Sequence, residues 1–200
     1  LTLTRVVLYP SDVFEDLVDH QRGVGFFTIV AGTSVLGVQL VLVRGYLDTG
    51  FALWTLAIAL WLSATSAIFT AFTVKETKPS LAEGINGGWL VAVVATESVS
   101  NLGGLLLPAF KDHHEELLFF TLVFWLCGGM LYIWMISLIF YRYTFFRYSP
   151  ADLSPPYWIN MGAMAISTLA GATLIENTAD APFLQRNAPA LAGKRSRVPP

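Results

Sequence analysis

Five stretches of this chain stay apolar for about twenty residues at a time: Val24 to Val43, Phe51 to Val74, Gly88 to Phe110, Leu117 to Tyr141 and Tyr157 to Ile175. A helix of about 17 to 25 such residues crosses the hydrocarbon core of a bilayer. The connections, Arg44 to Gly50, Lys75 to Gly87 and Arg142 to Pro156, are short and carry turn residues, so neighbouring helices must run antiparallel. The pattern predicts an all-α integral membrane protein with five transmembrane helices in antiparallel hairpins, its two ends on opposite sides. Ahead of them, Ser11 to His20 places Val13, Phe14, Leu17 and Val18 at helical spacing with acids between. It reads as a short interfacial helix capped by Ser11. The expected division is an interfacial amphipathic segment over 1–23, a transmembrane domain over 24–176 and a disordered tail over 177–200.

Composition changes this picture little. Of the 200 residues 54% are hydrophobic and 13% charged, with a mean hydropathy of +0.59, against about 25% charged in soluble domains. The net charge of -2 is spread over both signs and implies no nucleic-acid partner. A single cysteine, Cys127, excludes an internal disulfide and sits in an apolar run. Leu1 to Pro10 lacks the basic, apolar, small order of a signal peptide, and the chain opens on Leu1, so its true beginning is expected upstream.

Bulk and polarity are sorted between the segments. The second holds Phe51, Trp54, Trp61, Phe69 and Phe72, and the fourth Phe119, Phe120, Phe124, Trp125, Tyr132, Trp134, Phe140 and Tyr141. The odd segments hold Phe26, Phe27, Trp89, Tyr157 and Trp158, nearly all at one end. Large apolar and aromatic side chains suit lipid and its interface, whereas small and hydroxyl ones suit close helix contact or a lumen. The even helices are therefore expected outside, with Trp61, Phe124 and Trp134 turned outward.

The odd segments gather small and polar residues on single faces: Gly25, Thr28, Gly32 and Gln39; Glu97, Asn101, Gly104 and Pro108; Asn160, Met164, Ser167 and Gly171. Together these faces would line one path for a solute or proton. Taken singly, the glycines let helices pack and the amides join them by hydrogen bonds. Glu97 stands out, because Gly88 to Phe110 holds no other charge. A carboxylate at mid-span costs about 2.5 to 3.5 kcal/mol on insertion scales and faces a protein interior or a watery path. It is either a pathway acid or a structural one bonded to a neighbouring helix.

Other clusters carry less. His113 and His114 beside Glu115 and Glu116 invite a metal, but Asp112 to Glu115 has capping-box spacing, which leaves an ordinary loop. No metal, cofactor or catalytic residue is expected, and the chain is not read as an enzyme. Haem between helices would need histidines inside the spans, and His20, His113 and His114 all lie outside them. Lys194, Arg195 and Arg197 read as part of a solvated tail.

The run Ser154-Pro155-Pro156-Tyr157-Trp158-Ile159-Asn160-Met161-Gly162, continuing to Ser167-Thr168-Leu169-Ala170-Gly171, resembles the tellurite-resistance/dicarboxylate transporter family. Gly25-Phe26-Phe27-Thr28 after the Asp19 to Arg22 linker, and Trp89 through Thr96-Glu97-Ser98 to Asn101, are similar to it at matching places. The family includes bacterial tellurite-resistance permeases, malate permeases and plant slow anion channels, and the similarity covers roughly Leu3 to Ile175. It implies a ten-helix pore fold, odd helices inside and even ones outside, in a homotrimer, with this chain as helices three to seven. The family's gating phenylalanine lies on a later helix, beyond this chain. Ser154 ahead of Pro155 and Pro156 reads as a helix cap.

The resemblance also implies transport of small anions, C4-dicarboxylates such as malate, in a bacterial inner membrane. A protonated Glu97 would tolerate an anion and could couple its movement to protons; a passive channel, a tellurite permease and a non-transporting scaffold are the alternatives. Asn101, Asn160, Ser167, Thr168, Thr28 and Gln39 would offer donors to the anion, or join helices.

Arg5, Arg22, Lys75, Lys78, Arg142 and Arg147 fall on one side of the membrane, against Arg44 and Lys111 on the other. By the positive-inside rule the first side is cytoplasmic. A cysteine introduced beside Lys78 in a Cys127-free protein is therefore expected to react with an impermeant thiol reagent from the cytoplasmic side only, and one beside Lys111 from outside only. Opposite labelling would reverse the orientation.

Overall fold

The computed structural model describes residues 8–147, 150 and 155–177. Arg5, the Ser154 cap, and the tail basics Lys194, Arg195 and Arg197 lie outside the described residues. Six of the helices among the described residues organise the fold: α1 (Pro10–Val18), α2 (Phe27–Arg44), α3 (Leu47–Val74), α4 (Val91–Leu106), α5 (His114–Phe145) and α6 (Ile159–Asn177), with one further helical turn at Leu81–Gly84. Tighter turns extend α2 back to Gly23, α4 to Gly87–Ala109 and α6 back to Pro155, and the last five helices are each long and apolar enough to cross a membrane.

Local chemistry sets the ends. α1 starts with Pro10 in its first turn, where the missing N–H is no loss, and Tyr9, not Ser11, holds the cap position. The Ser11 hydroxyl points instead to Asp12, at 3.5 Å. After α1, Asp19 Oδ1 accepts the N–H groups of Gln21 and Arg22, each at 2.9 Å, which turns the chain into the first span. α2 stops at Gly45, whose φ of 67° suits a residue without a Cβ, and α3 begins two residues later. Asn86 Oδ1 accepts from Gly88 N–H at 2.7 Å and so opens the third span. The expected capping box at Asp112 is not formed. α5 starts at His114 with no side-chain cap, Glu115 and Glu116 fall in its first turn, and His113 Nδ1 stands 4.0 Å from Glu116 on an exposed edge.

The hairpins α2–α3 and α4–α5 and the final α6 are assembled around α4, which packs on all four other long helices. Its span is 89% buried, against 17–22% for the rest, so α4 is the centre and the others are its walls. α2 and α6 flank it, while α3 closes the side next to α2 and α5 the side next to α6. Val30, Trp54, Ala57, Val99 and Leu102 fill the first side. Leu90, Val93, Met135, Ile139 and Ala163 fill the second. Of the odd spans, this chain alone encloses α4; α2 and α6 each keep an open face.

The aromatic side chains do not all face outward. Trp134 is 63% exposed, but Phe124 is 7% exposed and its ring meets Trp61 edge-on at 5.1 Å. The indole N–H of Trp61 donates to Thr96 Oγ1 at 2.7 Å, and that of Trp54 to the Val99 carbonyl at 3.0 Å. From α5, Trp125 Nε1 donates to the Ser167 carbonyl at 3.0 Å and Tyr132 to Asn160 Oδ1 at 3.0 Å. The outward expectation for Trp61 and Phe124 is thus corrected: an indole N–H pointed into hydrocarbon would go unpaired, whereas α4 offers it an acceptor.

Interhelix hydrogen bonds in membranes are each worth about 0.6 to 2 kcal/mol. Trp54→Phe and Trp61→Phe are each expected to lower stability by about 1 kcal/mol in detergent unfolding, while Trp134→Phe leaves it unchanged. Equal effects at all three positions would contradict the pinning role.

Candidate functional site

Glu97 lies midway along α4 and is 0% exposed. It points into the seam where α4 meets α5 and α6. A Cβ on Gly128 of α5 would stand 2.5 Å from its Oε1, so the absent side chain at Gly128 makes room for the carboxyl. Ser167 of α6 is the polar side chain that faces it and Cys127 lies within electrostatic reach, yet neither carboxyl oxygen has a partner at hydrogen-bonding geometry. One turn on, Asn101 is 5% exposed and its Oδ1 is also unpartnered. A buried polar group without a partner costs free energy that folding alone gives no reason to spend.

The remaining predicted path residues separate into two groups. Glu97 and Ser167 are brought together across the α4–α6 seam. Gly104 belongs to the same seam, but as a packing position: a Cβ there would meet Thr173 Cγ2 at 2.7 Å, and its carbonyl accepts from Asn177 Nδ2 at 3.2 Å. Gly171 seats the ring of Trp125, 3.2 Å from where its Cβ would be, and Asn160 is tied to Tyr132. Gly104, Gly171 and Asn160 thus each make a contact between helices at this side of α4 or α5. Thr28, Gly32 and Gln39 instead share an exposed face of α2, with nothing within 4 Å of the Gly32 Cβ position.

Hydroxyl groups are weaker donors here than their number suggests. Thr28 donates to Gly25 O at 2.7 Å and Thr168 to Met164 O at 2.9 Å, so both protons are spent on their own helices. Thr96 donates to Ala92 O while accepting from Trp61. Two positions were missed from the sequence. Gly37, on the buried face of α2, admits Leu102, and Gly128 admits Glu97. Both lie in apolar runs, where glycine spacing alone does not say which helix approaches. No cluster of side chains able to hold a metal ion occurs among the described residues.

Five apolar spans, one of them enclosed and carrying a mid-span carboxyl, define a multi-pass membrane protein. The chain belongs to the SLAC1 family, described as voltage-dependent anion channel, which matches residues 1–194. It is 25% identical to an uncharacterized transporter of Methanocaldococcus jannaschii over 92% of this chain and 53% of that protein. A second transporter of that organism is 24% identical over 90% and 51%. An uncharacterized membrane protein of Mycobacterium tuberculosis is 51% identical over 26% of each chain. The chain spans about half the length of the two archaeal relatives. No solved structure gives a significant match.

Overpacking a tight contact costs about 1 to 3 kcal/mol. Gly128→Ala is expected to lose about 2 kcal/mol in detergent unfolding, and most of that loss should disappear in a Glu97→Ala background, where the carboxyl is gone. A penalty independent of Glu97 would show that the glycine serves another contact.

Proposed function

We propose that this chain forms part of a membrane path for small anions, most concretely C4-dicarboxylates such as malate, and that Glu97 holds a proton beside that path. Membership of a family described as an anion channel supports the class of cargo. The observation that carries the coupling is the Glu97 carboxyl, buried at mid-span with only the Ser167 hydroxyl of α6 as a polar side chain facing it. An ionised acid there would repel the anion, and a proton on it removes both the charge and the repulsion. Because Glu97 sits in a helix seam, its role is to take and return a proton, not to touch the anion. Thr28, Gly32 and Gln39 on the open face of α2 are the proposed path residues, with Asn101 at the edge of the seam.

On this reading the five spans are helices three to seven of a ten-helix pore, odd helices inside, in a homotrimer of complete chains in a bacterial inner membrane. A passive anion channel is the second reading, favoured by the packing of Glu97 against Gly128 away from any open face. Tellurite-resistance permease activity would carry a different small anion and would show as uptake of tellurite in place of malate.

Uptake of labelled malate into vesicles holding the complete protein, with and without an imposed pH gradient, separates these readings. Accumulation driven by the gradient is expected in the wild type and lost in Glu97→Gln, which mimics the protonated form permanently, while malate exchange survives. Wild-type uptake indifferent to the gradient would remove the coupling and leave the channel. No movement of any small anion would leave a scaffold.

A further inference from the structure

At the end of the bundle where α1 joins the first span, the chain closes over the α3–α4 connection. Lys75 Nζ donates to the Val18 carbonyl at 3.1 Å, and Gln21 Nε2 to the Glu83 carbonyl at 2.6 Å. His20 stacks on Phe72, ring centroids 4.3 Å apart and planes within 15°. Between these contacts is a cleft of about 360 Å³ whose lining includes His20, Lys75, Thr77 and Lys78 and also the acids Asp19 and Glu83.

The charges in the cleft are not equally free. Asp19 Oδ1 is occupied by two backbone N–H groups, and Glu83 Oε2 accepts the Ser80 hydroxyl at 2.9 Å. Lys78 has no hydrogen-bond or ion-pair partner among the described residues, and His20 Nδ1 is buried without one. Burial first, then the Lys75 and Lys78 charges, hold His20 below its ordinary pKa, with Asp19 opposing them. The imidazole is accordingly neutral near pH 7 and has a single N–H to give.

We propose that this cleft binds a phosphate group, its oxygens met by the Lys78 and Lys75 ammonium groups, the Thr77 hydroxyl and the Nε2–H of His20. Two lysines on an anionic phosphate give charge-assisted bonds, and the donors converge from two chain segments, which suits a tetrahedral acceptor. The site lies outside the five spans. It adjoins the end of α3 at Val74 and the start of the first span at Gly23. A lipid headgroup and a free phosphate can both supply that chemistry at this depth.

Two measurements on the complete protein in detergent separate these sources. Equilibrium dialysis with radiolabelled inorganic phosphate tests the free ion, and intact-protein mass spectrometry with added phosphatidylglycerol, against diacylglycerol lacking the phosphate, tests the lipid. Lys78→Gln is expected to weaken whichever ligand binds by roughly tenfold, the loss of one charge-assisted bond, and Lys78→Arg to retain most of it. Phosphate binding with this pattern supports a free oxyanion, and retained phosphatidylglycerol with this pattern supports a headgroup site. Lys78 is exposed and holds no structural contact, so Lys78→Gln is expected to fold normally. Absence of both ligands, or binding unchanged by Lys78→Gln, overturns the proposal.

Discussion

A carboxyl group at mid-span has to be enclosed by protein, and the arrangement of the long helices follows from enclosing the one that carries it. Hydrocarbon offers Glu97 neither water nor a hydrogen-bond donor, so α4 is stable where four other helices surround it. Short connections then limit the order. α3 must return beside α2, α5 beside α4, and α6 has the remaining gap next to α5. The small residues of α4 and its neighbours follow from the same requirement. Gly37 admits Leu102, Gly104 admits Thr173 and Gly128 admits Glu97, each allowing closer approach than a methyl group would.

Lipid tails are as apolar as leucine, so burial of apolar surface gives these helices little reason to associate. Dispersion in close contacts and a few directed hydrogen bonds must hold them. The indoles of Trp54, Trp61 and Trp125 provide both, with a broad ring packed in the seam and one N–H fixed on an acceptor of an inner helix. Phe119 and Trp134, on the other side of α5, are exposed. One aromatic helix therefore has two chemistries, divided by which face turns toward α4 or α6.

The five spans and their hairpin order were legible because length and apolarity survive any rotation of a helix about its axis. Rotation itself was not legible. In a soluble protein the apolar face marks the interior, but in a membrane the buried Phe124 and the exposed Phe119 look alike in sequence. Which neighbour the polar residues of the odd spans would meet was not legible either, because a seam and a lumen attract the same residue types. Asn160 and Gly171 fell on the seam side through Tyr132 and Trp125, partners on α5 with no sequence link to them. Thr28, Gly32 and Gln39 kept an open face. The Ser11 and Asp112 caps failed for a more local reason: Pro10 already starts α1, and a tight turn carries the chain past Asp112 to His114.

Threonines that donate to their own helix leave an anion path with few strong donors along these walls. On the proposed function this has a consequence for the mode of transport. Conduction needs an ion to be held well enough to enter and loosely enough to leave. A wall of glycine, threonine methyl groups and the single amide of Gln39 holds an anion loosely, which suits passage. Tight capture would need cations in the spans, and Gly88 to Phe110 carries none. The cationic groups gather instead at the ends, Lys75 and Lys78 among them. Positive potential at the mouth can raise the local concentration of anions without trapping them inside, and it weakens with salt over about 8 to 10 Å at physiological ionic strength. Selection among anions would then rest on the width of the path and on the protonation of Glu97, the one group in the third span able to change its charge.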